Sequence, residues 1–193
     1  TDKPLPQFVE EKSLQLLFDE MTFPLDFEGT RDRLVLELLY GTGMRLAELI
    51  TLRDGDVNVY DQTLRVFGKR SKERVVPIYK GLVEMIKQYQ QFRNEQFPNP
   101  PEQSLILTNK GEPAYPVLIQ RIVKKYLSAV TSLQKRSPHV LRHTFATHLL
   151  NNGADLNSIK DLLGHSSLAA TQVYTHNSIE KLKKIYKQAH PKA

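Results

Sequence analysis

The sequence contains no cysteine, and none of its hydrophobic runs is long enough to cross a membrane. The absence of cysteine excludes disulfide scaffolds, thiolate zinc sites, iron–sulfur clusters and cysteine nucleophiles, and it fits a reducing compartment. The apolar run from Leu34 to Tyr40 is interrupted by Glu37 and falls far short of the roughly 20 residues that a spanning helix needs. The opening Thr-Asp-Lys-Pro lacks the layout of a signal peptide. We therefore expect a soluble, cytoplasmic protein.

Charge is distributed unevenly along the 193 residues, whose 40% hydrophobic and 25% charged content is ordinary for one globular domain or two small ones. Residues 1–60 carry 6 basic and 12 acidic side chains, whereas residues 61–193 carry 21 basic and 9 acidic ones. A segment with a net charge of +12 predicts either a nucleic-acid partner or lysines that only solubilise helix faces.

Hydrophobic periodicity predicts a mainly helical domain with a small antiparallel β-hairpin. Strands at Thr63–Phe67 and Glu73–Ile78 flank a basic turn, and Leu105–Leu107 is expected to form a further short strand. Residues 1–8, with two prolines, read as an extended linker. The predicted helices cover about 9–21, 30–40, 44–50, 82–92, 116–131, 138–151, 155–163, 167–174 and 178–188.

One segment combines residue types that suit phosphate binding. His139 and Arg142 are three residues apart on a predicted helix, so they share a face, and His143 lies nearby. A histidine beside an arginine makes a cationic surface rich in hydrogen-bond donors. The alternative is structural, with the arginine paired to a core carboxylate and the histidine buried.

Four further candidates each have a structural alternative. Arg45 follows a Gly-Thr-Gly turn, and a pairing with Glu48 at i+3 explains it equally well. Lys69 sits at the tip of the basic hairpin, where a solvated lysine is common. The other two are His165, which can serve as a helix cap after a glycine, and Tyr174, which can be a core or interface residue.

The order of these motifs resembles the tyrosine recombinases of the integrase family, and most closely their Xer-type branch. The motifs that carry the resemblance are Gly-Thr-Gly-Met-Arg45-Leu-Ala-Glu48-Leu, Gly-Lys69-Arg-Ser-Lys-Glu-Arg, His139-Val-Leu-Arg142-His-Thr-Phe-Ala-Thr-His, Leu-Leu-Gly-His165 and Tyr174-Thr-His. The resemblance covers about residues 8–193 and implies the tyrosine recombinase catalytic-domain fold. It implies a linker remnant over 1–8, a catalytic domain over 9–176 and a basic C-terminal segment over 177–193. The family's N-terminal core-binding domain, which clamps the far face of DNA, is absent from these residues.

The resemblance also implies a role for each matched position. Arg45, Arg142 and His165 would bind the phosphate and stabilise the transition state, with Glu48 in support. Tyr174 would be the nucleophile, His139 would transfer its proton, and Lys69 would act as the general acid. Arg70 and Lys72 on the hairpin would contact DNA, and Arg70 stands where glycine is commoner in the family.

The resemblance further implies cleavage of one DNA strand by the tyrosine, which would leave a 3′-phosphotyrosyl link and a free 5′ hydroxyl. No cluster of Asp and Glu predicts a two-metal site, so we expect no metal and no cofactor. Because one phosphoester replaces another, the step would be reversible and need no ATP.

The implied partners are double-stranded DNA and other recombinase protomers. In the family, a homo- or hetero-tetramer exchanges strands between two synapsed duplexes, and the C-terminal segment docks on a neighbour; a solvated basic tail is the alternative here. An accessory protein is possible, and we expect a nucleoid-associated location. The biological role would be chromosome-dimer resolution or mobile-element integration.

Three other functions remain open at this point. A type IB topoisomerase uses a similar set of residues to nick and reseal one duplex. A non-catalytic DNA-binding domain would keep the fold without the reaction. A metal hydrolase would use His139, His143 and His148, although no carboxylate lies nearby in sequence to complete a metal site.

Overall fold

A computed structural model describes residues 7–99, 104–164 and 176–193. Within these ranges the chain forms eight α-helices and one three-stranded antiparallel sheet. The expected mainly helical class with a small β element is therefore confirmed. The helices are α1 (Glu11–Gln15), α2 (Phe27–Thr42), α3 (Leu46–Ile50), α4 (Lys80–Gln96), α5 (Pro116–Val130), α6 (Pro138–Asn151), α7 (Leu156–Leu163) and α8 (His176–Ala189), and the strands are β1 (Val57–Asn58), β2 (Thr63–Phe67) and β3 (Glu73–Pro77).

Helix α2 runs through the centre of the core, with α4, α5 and α6 packed around it. Its first turn is capped by the Asp26 side chain, which accepts a hydrogen bond of 2.7 Å from the Gly29 backbone amide. The helix continues through Gly41, where the sequence predicted a stop. A Cβ there would lie 3.1 Å from the ring of Tyr79, so this glycine permits close packing. The helix ends at Gly43, which has a φ of +69°.

The sheet has the order β1–β2–β3, and its hairpin lies where the sequence predicts it. Leu64 pairs with Val76 and Val66 pairs with Arg74, all four side chains being buried. Strand β1 was not predicted, because two residues are too few to show an alternating pattern.

The strand expected at Leu105–Leu107 is not formed: an isolated bridge joins Leu107 to Pro113, and another joins the preceding Ser104 to Arg53. Backbone and side-chain groups share this segment's hydrogen bonds. The Leu105 amide donates to the Leu52 carbonyl and the Ala114 amide donates to the Ile106 carbonyl, each at 3.0 Å. The Tyr89 hydroxyl accepts from the Leu107 amide at 3.0 Å, and Arg93 donates to the Leu105 carbonyl at 3.1 Å.

The first predicted helix, at 9–21, divides into α1 and a π-helical turn at Leu16–Glu20. Its apolar residues Leu14, Leu17 and Phe18 are buried as the periodicity indicated. Residues 1–6 of the predicted linker and the predicted helix at 167–174 lie outside the described ranges.

Helix α8 packs on β3, α6 and α7 of its own chain. Its Tyr186 hydroxyl donates to the Gly41 carbonyl at 2.7 Å, and His190 beyond it lies 3.1 Å from the Tyr40 carbonyl. Lys192 forms a 2.8 Å ion pair with Glu37, which is fully buried. In this single chain the segment therefore lies on its own domain and is not a solvated tail. Among the residues that the structure describes, no helix is long and apolar enough to span a membrane.

Candidate active site

The buried residue Arg142 joins α6 to two other elements. Its guanidinium donates to the Gly43 carbonyl at 2.6 Å and to the Leu163 carbonyl at 2.9 Å. Gly43 is the left-handed end of α2, two residues before Arg45, and Leu163 is the last residue of α7. A Cβ on Gly43 would lie 2.5 Å from the Phe145 ring, so glycine is needed both for its φ and for the space. The turn that precedes Arg45 is thereby held against α6.

Arg45 immediately precedes α3, and its backbone is held by Glu48. The Glu48 carboxylate accepts from the Arg45 backbone amide at 2.7 Å, while the two side chains are 3.9 Å apart. The Arg45 side chain is 44% exposed, so its guanidinium can meet a ligand from solvent. The pairing that the sequence offered as a structural alternative is thus present but loose, and it leaves Arg45 accessible.

The principal partner of Glu48 is Arg74 on β3, which sequence reasoning did not single out. Both side chains are buried, and the two guanidinium nitrogens Nη1 and Nη2 contact the two carboxylate oxygens. Arg74 Nε also donates to the Leu162 carbonyl at 3.1 Å. The signal was present in the alternation of β3, which places Arg74 on the same inward face as Val76.

The charged groups of this cluster shift one another's pKa values. Burial, reinforced by the neighbouring Arg45 and Arg74, lowers the pKa of Arg142 to about 10. Burial alone would raise the pKa of Glu48, but the hydrogen bond and charge of Arg74 outweigh it and the pKa lies below its ordinary value. Glu48 is therefore ionised at neutral pH. Arg45, Arg74 and Arg142 thus act as neighbouring cations near Glu48, a setting that attracts an anion.

The hairpin turn places Lys69, Arg70 and Lys72 in exposed positions. Lys69–Ser71 forms a single 3₁₀ turn, in which Arg70 has a φ of +61°. That is the left-handed conformation that glycine adopts at little cost, which explains why glycine suits this position. The Gly68 amide donates to the Lys72 carbonyl at 2.8 Å and closes the turn.

The histidines of α6 separate into two environments. His139, one turn before Arg142, is exposed, as is His143. His148 is buried, with Nδ1 2.7 Å from the Tyr40 hydroxyl and Nε2 2.8 Å from the Val9 carbonyl. Since both ring nitrogens of His148 are engaged, the three histidines cannot form the metal site of the hydrolase hypothesis. No group of three or more potential metal ligands occurs in the described ranges.

Two predicted site residues, His165 and Tyr174, lie outside the described residues. The structure describes the chain up to Gly164, whose left-handed φ of +74° ends α7. The last carbonyls of that helix are the acceptors for Arg74 and Arg142. The structure therefore brings together Arg45, Glu48, Arg142 and the residue before His165.

A motif profile described as the phage integrase family matches residues 7–181. The chain belongs to the phage integrase family. It is similar to the tyrosine recombinase XerC of Chlorobaculum parvum (strain DSM 263 / NCIMB 8327), with 42% identity over 212 aligned residues. That alignment covers 100% of this chain and 63% of the relative, so the chain spans just under two thirds of the relative's length.

Solved structures show the same fold. XerA recombinase is 29% identical with a TM-score of 0.72, and the match covers 100% of this chain and 68% of that one. XerH site-specific recombinase, bound to a palindromic difH substrate in a post-cleavage complex, is 26% identical with a TM-score of 0.74, covering 93% of this chain and 52% of that one. The fold inferred from the motif resemblance, that of a tyrosine recombinase catalytic domain, is therefore confirmed.

Proposed function

We propose that this chain is the catalytic part of a site-specific DNA recombinase that cleaves and rejoins strands through a 3′-phosphotyrosyl intermediate. The observation that carries the proposal is the convergence of Arg45, Arg74 and Arg142 near Glu48, close enough for Arg45 and Arg74 to lower the pKa of Arg142. A DNA phosphate is an anion that such a group of arginines attracts. Further charge develops on its non-bridging oxygens in the transition state, and guanidinium groups can donate to two oxygens at once.

In the proposed reaction the Tyr174 hydroxyl oxygen attacks phosphorus while the bond to the 5′ oxygen breaks. His139 takes the phenolic proton, and Lys69 donates a proton to the leaving 5′ oxygen. Arg45, Arg142 and His165 stabilise the phosphate, and Glu48 holds Arg45. The exposure of Lys69 on its hairpin supports its role, because it can reach toward DNA. The step uses no metal and no cofactor, and attack by the free 5′ hydroxyl reverses it.

The partners we propose are double-stranded DNA and further copies of this or a related chain. The DNA-bound XerH structure supports the first, and the exposed basic residues Arg70 and Lys72 add positive charge beside the turn. Strand exchange between two sites needs two cleaving subunits on each, hence a tetramer on synapsed DNA. We further propose a role in chromosome-dimer resolution or mobile-element integration, the participation of an accessory protein, and a nucleoid-associated location in the cytoplasm.

Covalent trapping tests the nucleophile and the metal requirement together. The chain is incubated in EDTA with nicked genomic DNA fragments, and adducts are resolved on denaturing gels before their DNA ends are sequenced. We expect a 3′-linked adduct that Tyr174→Phe abolishes without weakening DNA binding. Tyr60→Phe is the matched control, because Tyr60 is 95% exposed at a surface turn and should leave the adduct unchanged. DNA binding without any adduct, or an adduct that survives Tyr174→Phe, contradicts the proposal.

A further inference from the structure

Arg74 contacts several parts of the candidate site besides its ion-pair partner Glu48. Its guanidinium contacts both oxygens of Glu48, whose carboxylate in turn holds the Arg45 backbone amide at 2.7 Å. Its Nε donates to the Leu162 carbonyl at the end of α7. One buried side chain thus bridges the start of α3 and the end of α7.

Arg74 also belongs to the hairpin that carries Lys69. It lies on β3 opposite Val66 of β2, so its backbone is part of the ladder that supports the turn. The base of the turn packs on the same ion pair, since a Cβ on Gly68 would lie 3.3 Å from Glu48 Oε2. The hairpin therefore packs against Glu48 on both sides, through Arg74 of β3 and through Gly68, which follows β2.

The third link lies at Gly164. A Cβ on this residue would lie 2.9 Å from Arg74 Cδ and 3.1 Å from its Nη1. The backbone that leads into His165 is thus packed directly on the Arg74 side chain. Any displacement of the guanidinium has to move this turn or open a gap beside it.

We propose that Arg74 is a positioning residue of the strand-transfer reaction, which sets Arg45, the Lys69 hairpin and the turn before His165 relative to one another. The inference rests on the proposed function. A planar guanidinium can bind Glu48 through two nitrogens and still donate a third hydrogen bond to Leu162, whereas a lysine ammonium is a single point charge at the end of a flexible stem. Arg74→Lys therefore keeps the charge and loses the geometry.

The test compares Arg74→Lys with Arg93→Lys. Arg93 is an equally buried arginine that contacts both oxygens of Asp54 at 2.7 and 2.8 Å and donates to the Ser104 carbonyl at 2.9 Å. Its substitution disrupts the same kind of network without touching a candidate site residue. Cleavage rate at saturating DNA and the Kd for DNA are measured for both variants on a nicked duplex carrying the site recovered by covalent trapping. The temperature is one at which circular dichroism shows both to be folded.

We expect Arg74→Lys to slow cleavage by about 100-fold, since small misplacements of reacting groups have effects of that size. Its Kd for DNA should change less than about 3-fold, because exposed basic residues dominate binding. The cleavage rate of Arg93→Lys should lie within about 3-fold of that of the unmodified chain, because Arg93 contacts no candidate site residue. A substrate with sulfur at the 5′ leaving position needs no acid, so the share of the Arg74→Lys loss that it restores measures the displacement of Lys69.

Equal cleavage by the two lysine variants would overturn the inference and assign Arg74 to stability alone. If Arg74→Lys does not fold, Glu48→Asp replaces it, because it keeps both charges and moves the carboxylate by one methylene. A wild-type rate for folded Glu48→Asp would also overturn the inference. Failure of the unmodified chain to form a Tyr174-dependent adduct would overturn the proposed function and this inference with it, so the two failures are distinguishable.

Discussion

Gly43 is the residue at which a single methyl group should disturb the fold and the candidate site together. Its φ of +69° is left-handed, and an added Cβ would lie 2.5 Å from Phe145 Cδ1 and 2.8 Å from Leu163 Cδ2. Alanine in that conformation costs about 1–2 kcal/mol, and overpacking of a filled core about 1–3 kcal/mol. Gly43→Ala should therefore lose about 3 kcal/mol of unfolding free energy, or about 9 °C of Tm for a domain of this size.

Two other glycines separate the conformational cost of a left-handed residue from the cost of overpacking the core. Gly153 has a φ of +98° but open space around its Cα, so Gly153→Ala carries the conformational penalty alone. Gly55 has open space and lies in a 3₁₀ turn, so Gly55→Ala should be neutral or slightly stabilising. Urea denaturation of the three variants at pH 7 gives the free energies. We expect losses of about 3, 1 and 0 kcal/mol for Gly43, Gly153 and Gly55.

The same substitution tests the connection to the site, because the Gly43 carbonyl is an acceptor for Arg142. Folded Gly43→Ala should cleave DNA more slowly than Gly153→Ala at the same fraction folded. The reasoning is refuted if Gly43→Ala is no less stable than Gly153→Ala, since the contacts with Phe145 and Leu163 would then relax without cost.

Two further predictions concern buried ionisable groups. Glu48→Gln should lower the free energy of unfolding by about 3 kcal/mol at pH 7, because it leaves buried Arg74 without its counter-charge. Since the pKa of Glu48 is lowered in the folded protein, the ion pair stabilises the fold above the ordinary value of 4.5, and this stability is lost as the pH falls through the folded pKa. Urea unfolding curves of the two proteins should therefore converge at low pH, and curves that stay apart would contradict the prediction. Burial lowers the pKa of His190 to about 4 from 6.5, so the unfolded chain binds a proton first and stability should fall by about 3 kcal/mol as the pH drops from 6.5 to 4. His190→Gln should flatten that slope in pH-dependent unfolding, whereas substitution of exposed His143 should not.

Much of the fold could be predicted from local pattern, and the exceptions have physical causes. The hairpin and α6 are found where alternation and helical periodicity predict them. Gly41 misled the prediction, because its role is set by the Tyr79 ring in a distant part of the chain. The segment at 105–107 has the composition of a strand, but side chains of α4 supply part of its hydrogen bonds and no strand ladder forms. Periodicity detects burial, and it does not reveal which partner supplies the hydrogen bonds.

In the candidate site, too, the sequence predicted some residues and missed another. Ordered motifs predicted the positions of Arg45, Lys69, His139 and Arg142, and the Arg142 side chain contacts the turn that precedes Arg45. Their roles, with those of His165 and Tyr174, stay predictions that the experiments above test. Arg74 was missed because its partners are 26 and 88 residues away in sequence. A buried arginine in a strand is a recognisable signal, but the sequence alone does not show which acid it meets.

The chemistry of their partners distinguishes Arg74 from Arg142. Arg74 faces a carboxylate, which neutralises it and suits a structural tie. Arg142 donates to the carbonyls of Gly43 and Leu163, which orient its guanidinium. The Leu163 carbonyl lies at the C-terminal end of α7, where the helix dipole adds only partial negative charge. These carbonyls hold the Arg142 guanidinium in place, and its lowered pKa of about 10 leaves it protonated at neutral pH, as the proposed role in phosphate binding requires.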